Sequence, residues 1–198
     1  MVIVGDMVGS GSAAPGRLET VRRLVNTRDI EAGTDALAGP EDLRDLLHEA
    51  ALLAPDADAD HTDLAHALAL REGLRAALAT NQSGQPVSDD AAAVLNEAAS
   101  RAGMSLSFGT DAGWAVQPRA TGVDGALGGL LVIVVEAMTD GTWSRLKVCQ
   151  NDTCRWAYYD HSRGRSGRWC SMQLCGNRAK QRGWRERQPG PPERTVNS

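Results

Sequence analysis

Cys149-Gln-Asn-Asp-Thr-Cys154 and, fifteen residues further on, Cys170-Ser-Met-Gln-Leu-Cys175 decide how this chain is read. They hold all four cysteines of the sequence, spaced C-x4-C-x15-C-x4-C. Two close pairs of soft thiolates joined by a medium loop are what a tetrahedral Zn²⁺ requires, each pair forming one knuckle and the ion closing the loop between them. Four thiolates leave no coordination position for water or substrate, which marks the site as structural. One Zn²⁺ per chain is therefore expected on Cys149, Cys154, Cys170 and Cys175. A module of this size is too small to fold on an apolar core alone. Zinc is expected to supply roughly 10 kcal/mol or more of its folding free energy, and loss of one thiolate to unfold it.

Downstream, the last cysteine runs into Gly176-Asn-Arg-Ala-Lys-Gln-Arg182, a helix-favouring segment read as interrupted at Gly183 and continuing to Arg187. A knuckle whose final cysteine starts a helix points to a treble-clef-like finger. On that helix Arg178, Arg182 and Arg185 share one stripe, and Lys180, Trp184 and Arg187 an adjacent one. Arg163, Arg165 and Arg168 lie in the Gly/Ser-rich loop between the pairs, and Trp156, Tyr158 and Tyr159 are read as a small apolar cluster against the metal site.

The formal charge of -4 conceals a division. From Arg145 onward the chain carries +8, whereas the first 144 residues carry -12. Zinc with four thiolates leaves about +6 on the C-terminal part. Glu186 is the only acid between His161 and Pro192. Such one-sided charge on a helix fixed to a knuckle suits phosphate-backbone contact and major-groove entry on double-stranded DNA, with Arg able to read guanine; the other readings are a solvated charged face and an acidic protein surface, the chain's own N-terminal domain included.

Upstream the pattern is helical. Leu18, Val21, Leu24 and Val25 recur at helical spacing. Pro40 opens a second helix with Leu43, Leu46 and Leu47 on one face, and Asp56 to Asp60 lead into a long Ala-rich helix to about Thr80. Ser88 caps a fourth, and Leu106, Phe108, Trp114 and Val116 alternate as a β-hairpin. Gly125 to Met138 reads as a buried helix, its apolar stretch of Ala126 to Met138 short of a bilayer span, and Trp143 to Val148 as a strand. The fold class is mainly α (α+β): a helical N-terminal domain with a small β-hairpin, plus the finger. The expected divisions are 1–16 as a flexible leader, 17–140 as the helical domain, 141–188 as the finger and 189–198 as a disordered tail. Met1 to Gly16 lacks a basic n-region and makes a poor signal peptide, so a cytoplasmic protein with no membrane partner is expected.

Other signals weigh less. Gly9-Ser-Gly11 lacks the ending of a phosphate loop. His61 and His66 stand about 140° apart on a helix and do not share a metal, and His161 reads as a loop histidine. Asn26-Thr-Arg28-Asp29 is a polar group beside Leu24 and Val25. It reads first as a helix terminus whose Asn and Asp satisfy backbone groups, and second as a ligand or partner site formed by Asn26, Arg28 and Asp29. No spacing of nucleophile and base, or of paired carboxylates, stands out, so an enzyme is not expected.

Cys149-x4-Cys154, Trp156-Ala-Tyr-Tyr-Asp160-His-Ser162, Arg168-Trp-Cys170-Ser-Met172 and Cys175-Gly-Asn-Arg178-x-Lys180 together resemble the CGNR-type zinc finger of bacterial proteins. Leu24-Val-Asn-Thr-Arg-Asp29 with Asp35-x-Leu37-x2-Pro40-Glu-x-Leu43 is similar to the ABATE domain that precedes that finger. The resemblance covers about Arg17 to Arg187. Tyr158-Tyr159 departs from it where a Phe is expected. The resemblance implies a stress-linked transcription regulator with a DNA-binding finger, and the leading expectation adds an acidic helical domain that senses a small-molecule effector or mediates association with a protein partner. A protein-interaction adaptor with purely structural zinc and a single-stranded RNA binder are the alternatives, the latter stacking unpaired bases on Trp169 and Trp184. Operator, effector, sign of regulation and oligomeric state leave no mark on the sequence.

Overall fold

The computed structural model describes residues 13–110 and 113–186. Most of the expected leader, the whole expected tail and Arg187 lie outside the described residues.

Among the described residues, six α-helices carry the fold: α1 (Leu18–Val25), α2 (Pro40–Glu49), α3 (His61–Ser83), α4 (Asp89–Arg101), α5 (Gly122–Asp140) and α6 (Asn177–Glu186). Antiparallel hairpins join them: β1 (Arg28–Asp29) with β2 (Thr34–Asp35), β3 (Ser105–Phe108) with β4 (Trp114–Gln117), and β5 (Leu146–Val148) with β6 (Ala157–Tyr159). Local chemistry sets the helix ends. Asp60 Oδ1 accepts from the Asp63 N–H at 2.8 Å while the Asp63 carboxylate takes the Asp60 N–H at 3.0 Å, a reciprocal cap at the start of α3. Ser88 caps α4 through the Ala91 N–H, and Pro40 occupies the first turn of α2.

The long helix α3 is the spine, packing against α1, α2, α4, α5 and β5. Its apolar stripe of Leu64, Ala67, Leu70, Leu74, Ala77 and Leu78 is buried. Helix α5 is longer than the apolar run seen in the sequence. At 19 residues it is long and apolar enough to cross a membrane by composition, yet Val123, Ala126, Leu127, Leu130, Leu131, Ile133, Val134 and Ala137 lie in the core.

The core does not stop at Asp140. Leu146, Val148, Ala157 and Tyr159 of the β5–β6 hairpin belong to the same apolar cluster as α1, α3 and α5. The expectation that Trp156, Tyr158 and Tyr159 pack as a small apolar cluster against the metal site is corrected for the two tyrosines, and the module, expected to draw much of its folding free energy from zinc, also shares the main apolar core. Tyr159 packs into the main core, and the Tyr158 hydroxyl accepts from Gln82 of α3 at 2.8 Å. Trp143–Arg145 forms a 3-10 turn before the short strand rather than strand throughout. Helix α6 runs unbroken through Gly183, because a single glycine costs only about 1 kcal/mol against alanine and breaks no hydrogen bond.

Candidate functional site

The hairpin and the basic helix are organised around the four cysteines. Cys149 follows β5 directly and Cys154 lies three residues before β6, so the first pair occupies the turn between the two strands. The second pair closes on a single π-helical turn, Met172–Gly176, which contains Cys175 and passes into α6. The Ser171 hydroxyl caps this turn through the Leu174 N–H at 3.3 Å, and Asn177 Nδ2 donates to the Gln173 carbonyl at 3.0 Å. A Cβ at Gly176 would stand 2.8 Å from Met172 Sδ and 3.3 Å from the Trp169 ring, so a side chain there would displace the Met172 thioether that packs over the turn.

The four sulfurs lie within 4.8 Å of one another, with Cys154 to Cys170 at 3.7 Å and Cys170 to Cys175 at 3.8 Å. A tetrahedron with Zn–S near 2.3 Å has edges of about 3.8 Å, so the donor set fits that ion in size as well as in softness. The sulfur electrostatics agree. Hydrogen bonds from Cys154 and Cys170 draw the Cys149 thiol down to about 2, and the Cys154 thiol is pushed up to about 12 chiefly by its hydrogen bond to Cys149. Four sulfurs this close suit a shared divalent cation, whose charge takes the place of the thiol protons. Asn151, itself buried, donates from Nδ2 to Cys175 Sγ at 3.7 Å and orients that ligand. Among the described residues this is one Zn²⁺ site, with all four thiols free of disulfides. His161 is not part of it: its Nε2 meets the Ala13 carbonyl at 3.0 Å and its ring packs edge-on against Tyr159.

A buried ion pair shapes the loop between the cysteine pairs. Lys147 Nζ donates to Asp160 Oδ2 at 2.7 Å, and both side chains are almost fully buried. The ammonium also donates to the Arg165 and Gly167 carbonyls, and the same Asp160 carboxylate accepts from the Gly167 and Ser162 N–H groups. Burial by itself raises the Asp160 pKa, but hydrogen bonds led by that of Lys147 outweigh it and hold the carboxyl well below its ordinary range. Sequence reasoning passed over this pair. Its available signals were a lysine between apolar neighbours in β5 and an aspartate directly after the Ala157–Tyr159 strand.

The sequence-predicted basic residues fall in two groups. On α6, Arg178, Lys180, Arg182 and Arg185 are exposed. Lys180, Arg182 and Arg185 have no partner among the described residues, whereas Arg178 is ion-paired with Glu31. In the loop, Arg163 is exposed, Arg165 donates to Ser144 Oγ at 3.3 Å, and Arg168 donates to Gln150 at 2.6 Å while stacking 5.6 Å over Trp169. Met172, Leu174 and Trp184 stand more than half exposed beside this basic surface.

Asn26, Arg28 and Asp29 do not converge. Asn26 is buried and exchanges two hydrogen bonds with Ala157, Arg28 is exposed on β1, and Asp29 accepts from the Ala32 N–H at 2.9 Å. Next to Asn26 lies a cluster that the sequence did not reveal. Arg71 and Arg75 of α3 are both 2% exposed and are bridged by Glu72. Arg71 reaches Asp35 and Thr27, and Arg75 reaches the Val25 and Arg155 carbonyls at 2.6 and 2.9 Å. With Asn81 donating to the Trp143 and Leu146 carbonyls, the C-terminal third of α3 holds the cysteine-bearing hairpin by side-chain to backbone bonds.

Comparison with family models gives two matches. Residues 19–141 match ABATE, described as "Putative stress-induced transcription regulator", and residues 145–188 match the CGNR zinc finger. No curated protein gives a significant match.

Proposed function

Because this chain belongs to the ABATE family and carries a CGNR zinc finger, we propose that it is a zinc-dependent regulator whose finger binds double-stranded DNA and whose acidic helical part senses a ligand or partner. The observation that carries the reading is the row Lys180, Arg182 and Arg185: exposed cations without protein partners among the described residues, on a helix fixed by a four-cysteine centre. Unpaired cations on a rigid frame neutralise phosphates at little ordering cost. Arg163, Arg165 and Arg168 extend the cationic surface on a loop anchored by Lys147 and Asp160, and Arg187 joins the proposed set from its seven-residue spacing to Lys180 in the sequence alone. The basic helix itself meets the acidic part at the turn between β1 and β2, where Glu31 pairs with Arg178. Arg28 and Asp29 flank this pair and are the proposed partner contact of the helical part.

Duplex affinity measured against salt tests the proposal. Affinity should fall steeply as salt rises, and a salt-insensitive interaction, or none at low salt, overturns it. A second reading draws on Trp184, 59% exposed among the cations. Single-stranded RNA that outcompetes duplex DNA, with the preference lost in Trp184→Ala, would favour it.

A further inference from the structure

A cleft of about 350 Å³ opens between α3, α4 and α5, away from the cysteines. Its walls are apolar: Ala93, Val94 and Ala98 of α4 face Ala69 of α3 and Leu127 of α5. Four polar side chains line it as well: His66, Glu97, Arg101 and Asp124. The volume falls in the range of small-molecule sites, and an apolar cleft with a few polar groups is their usual make-up.

The polar groups are unequally committed. Arg101 and Asp124 neutralise each other in a bidentate pair, with Nε to Oδ1 and Nη2 to Oδ2 both at 3.1 Å. Glu97 is solvent-exposed and has no partner among the described residues, so the one uncompensated charge lining the cleft is negative. His66 Nδ1 is buried without a hydrogen-bond partner. In the tautomer with its proton on Nε2 the ring keeps no unpaired buried donor at Nδ1, and that N–H is the one a ligand can accept from.

We propose that this cleft is the effector site of the helical part. Its ligand is a small amphipathic amine, with an apolar body against the alanine and leucine walls, an ammonium at Glu97 and a neighbouring hydroxyl or carbonyl accepting from His66. The assignment rests on reading the helical part as a sensor, but it is tested without DNA.

The test is a titration of the zinc-loaded full chain with 2-amino-1-phenylethanol, followed by amide NMR shifts, with 3-phenylpropionate as the charge-reversed control. Saturable shifts at 66–69, 93–98 and 124–127 are expected for the amine, with no saturation by the acid. Ala93→Trp, at an exposed helix position, should fill the mouth and abolish the shifts while leaving the rest of the spectrum intact. Glu97→Gln should weaken the amine by roughly fivefold. No saturable shift up to millimolar amine, equal binding of the acid, or binding unchanged in either variant overturns the proposal. Failure here leaves DNA binding by the finger untouched, and failure of DNA binding leaves the titration result standing.

Discussion

The side chain of Asn26 pairs with the backbone of Ala157 across 131 residues of sequence: Nδ2 donates to the Ala157 carbonyl at 2.8 Å, and the Ala157 N–H donates to Oδ1 at 2.7 Å. The amide imitates one residue of a neighbouring strand. It satisfies the outward N–H and C=O of β6, which β5 leaves unpaired at the buried junction between α1 and the finger. The reciprocal pattern fixes which amide atom is oxygen, since an N–H needs an acceptor and a carbonyl a donor.

Asn26→Ala orphans both Ala157 groups in a place without water. We expect a loss of about 2–4 kcal/mol, read as a lower urea midpoint. Asn26→Asp should be worse than Asn26→Ser, because it sets a carboxylate against the Ala157 carbonyl. A midpoint unchanged in Asn26→Ala would show that the pairing contributes nothing.

Chelation of zinc should release the knuckles and α6 but leave the helical part and the β5–β6 hairpin folded, because that hairpin is buried in the main core. Circular dichroism should retain most of its helical signal, while the basic helix becomes protease-sensitive. Metal analysis should give one zinc per chain, and any single Cys→Ser change should reduce occupancy. Complete unfolding on chelation would contradict the shared core.

The Lys147–Asp160 pair gives the stability a defined pH dependence. The Asp160 carboxyl is held below its ordinary range when folded and returns to about 3.9 when the chain unfolds. Its contribution is therefore complete above about pH 4 and is lost as pH falls toward the folded value, because the unfolded chain takes up the proton first. Asp160→Asn should cost about 3 kcal/mol or more at pH 7, since it leaves Lys147 buried without a counter-charge. Its acid unfolding profile should be flatter than that of the unaltered chain, as followed by tryptophan fluorescence.

Lys180→Ala, Arg182→Ala and Arg185→Ala should each reduce the salt slope of duplex binding by about one and leave thermal stability unchanged. Glu31→Gln should act in the opposite sense. Freeing Arg178 from its half-exposed partner should raise duplex affinity by about two- to fivefold. Weaker binding by Glu31→Gln would argue against competition between Glu31 and phosphate.

The sequence alone determined the local facts. Helical spacing of Leu and Ala, Pro40 at a first turn, Asp60 and Ser88 at caps, and the two close cysteine pairs act over a few residues, where spacing translates directly into geometry. The basic stripes of α6 were legible for the same reason. Tertiary structure decided what those elements became. It turned Asn26 into a strand mimic, Arg71 and Arg75 into buried ties, Lys147 and Asp160 into the anchor of a loop, and the finger's hairpin into part of the helical core. Each of these is a polar or apolar group whose partner lies distant in the chain, and desolvation makes such partners obligatory only once the surrounding elements have packed.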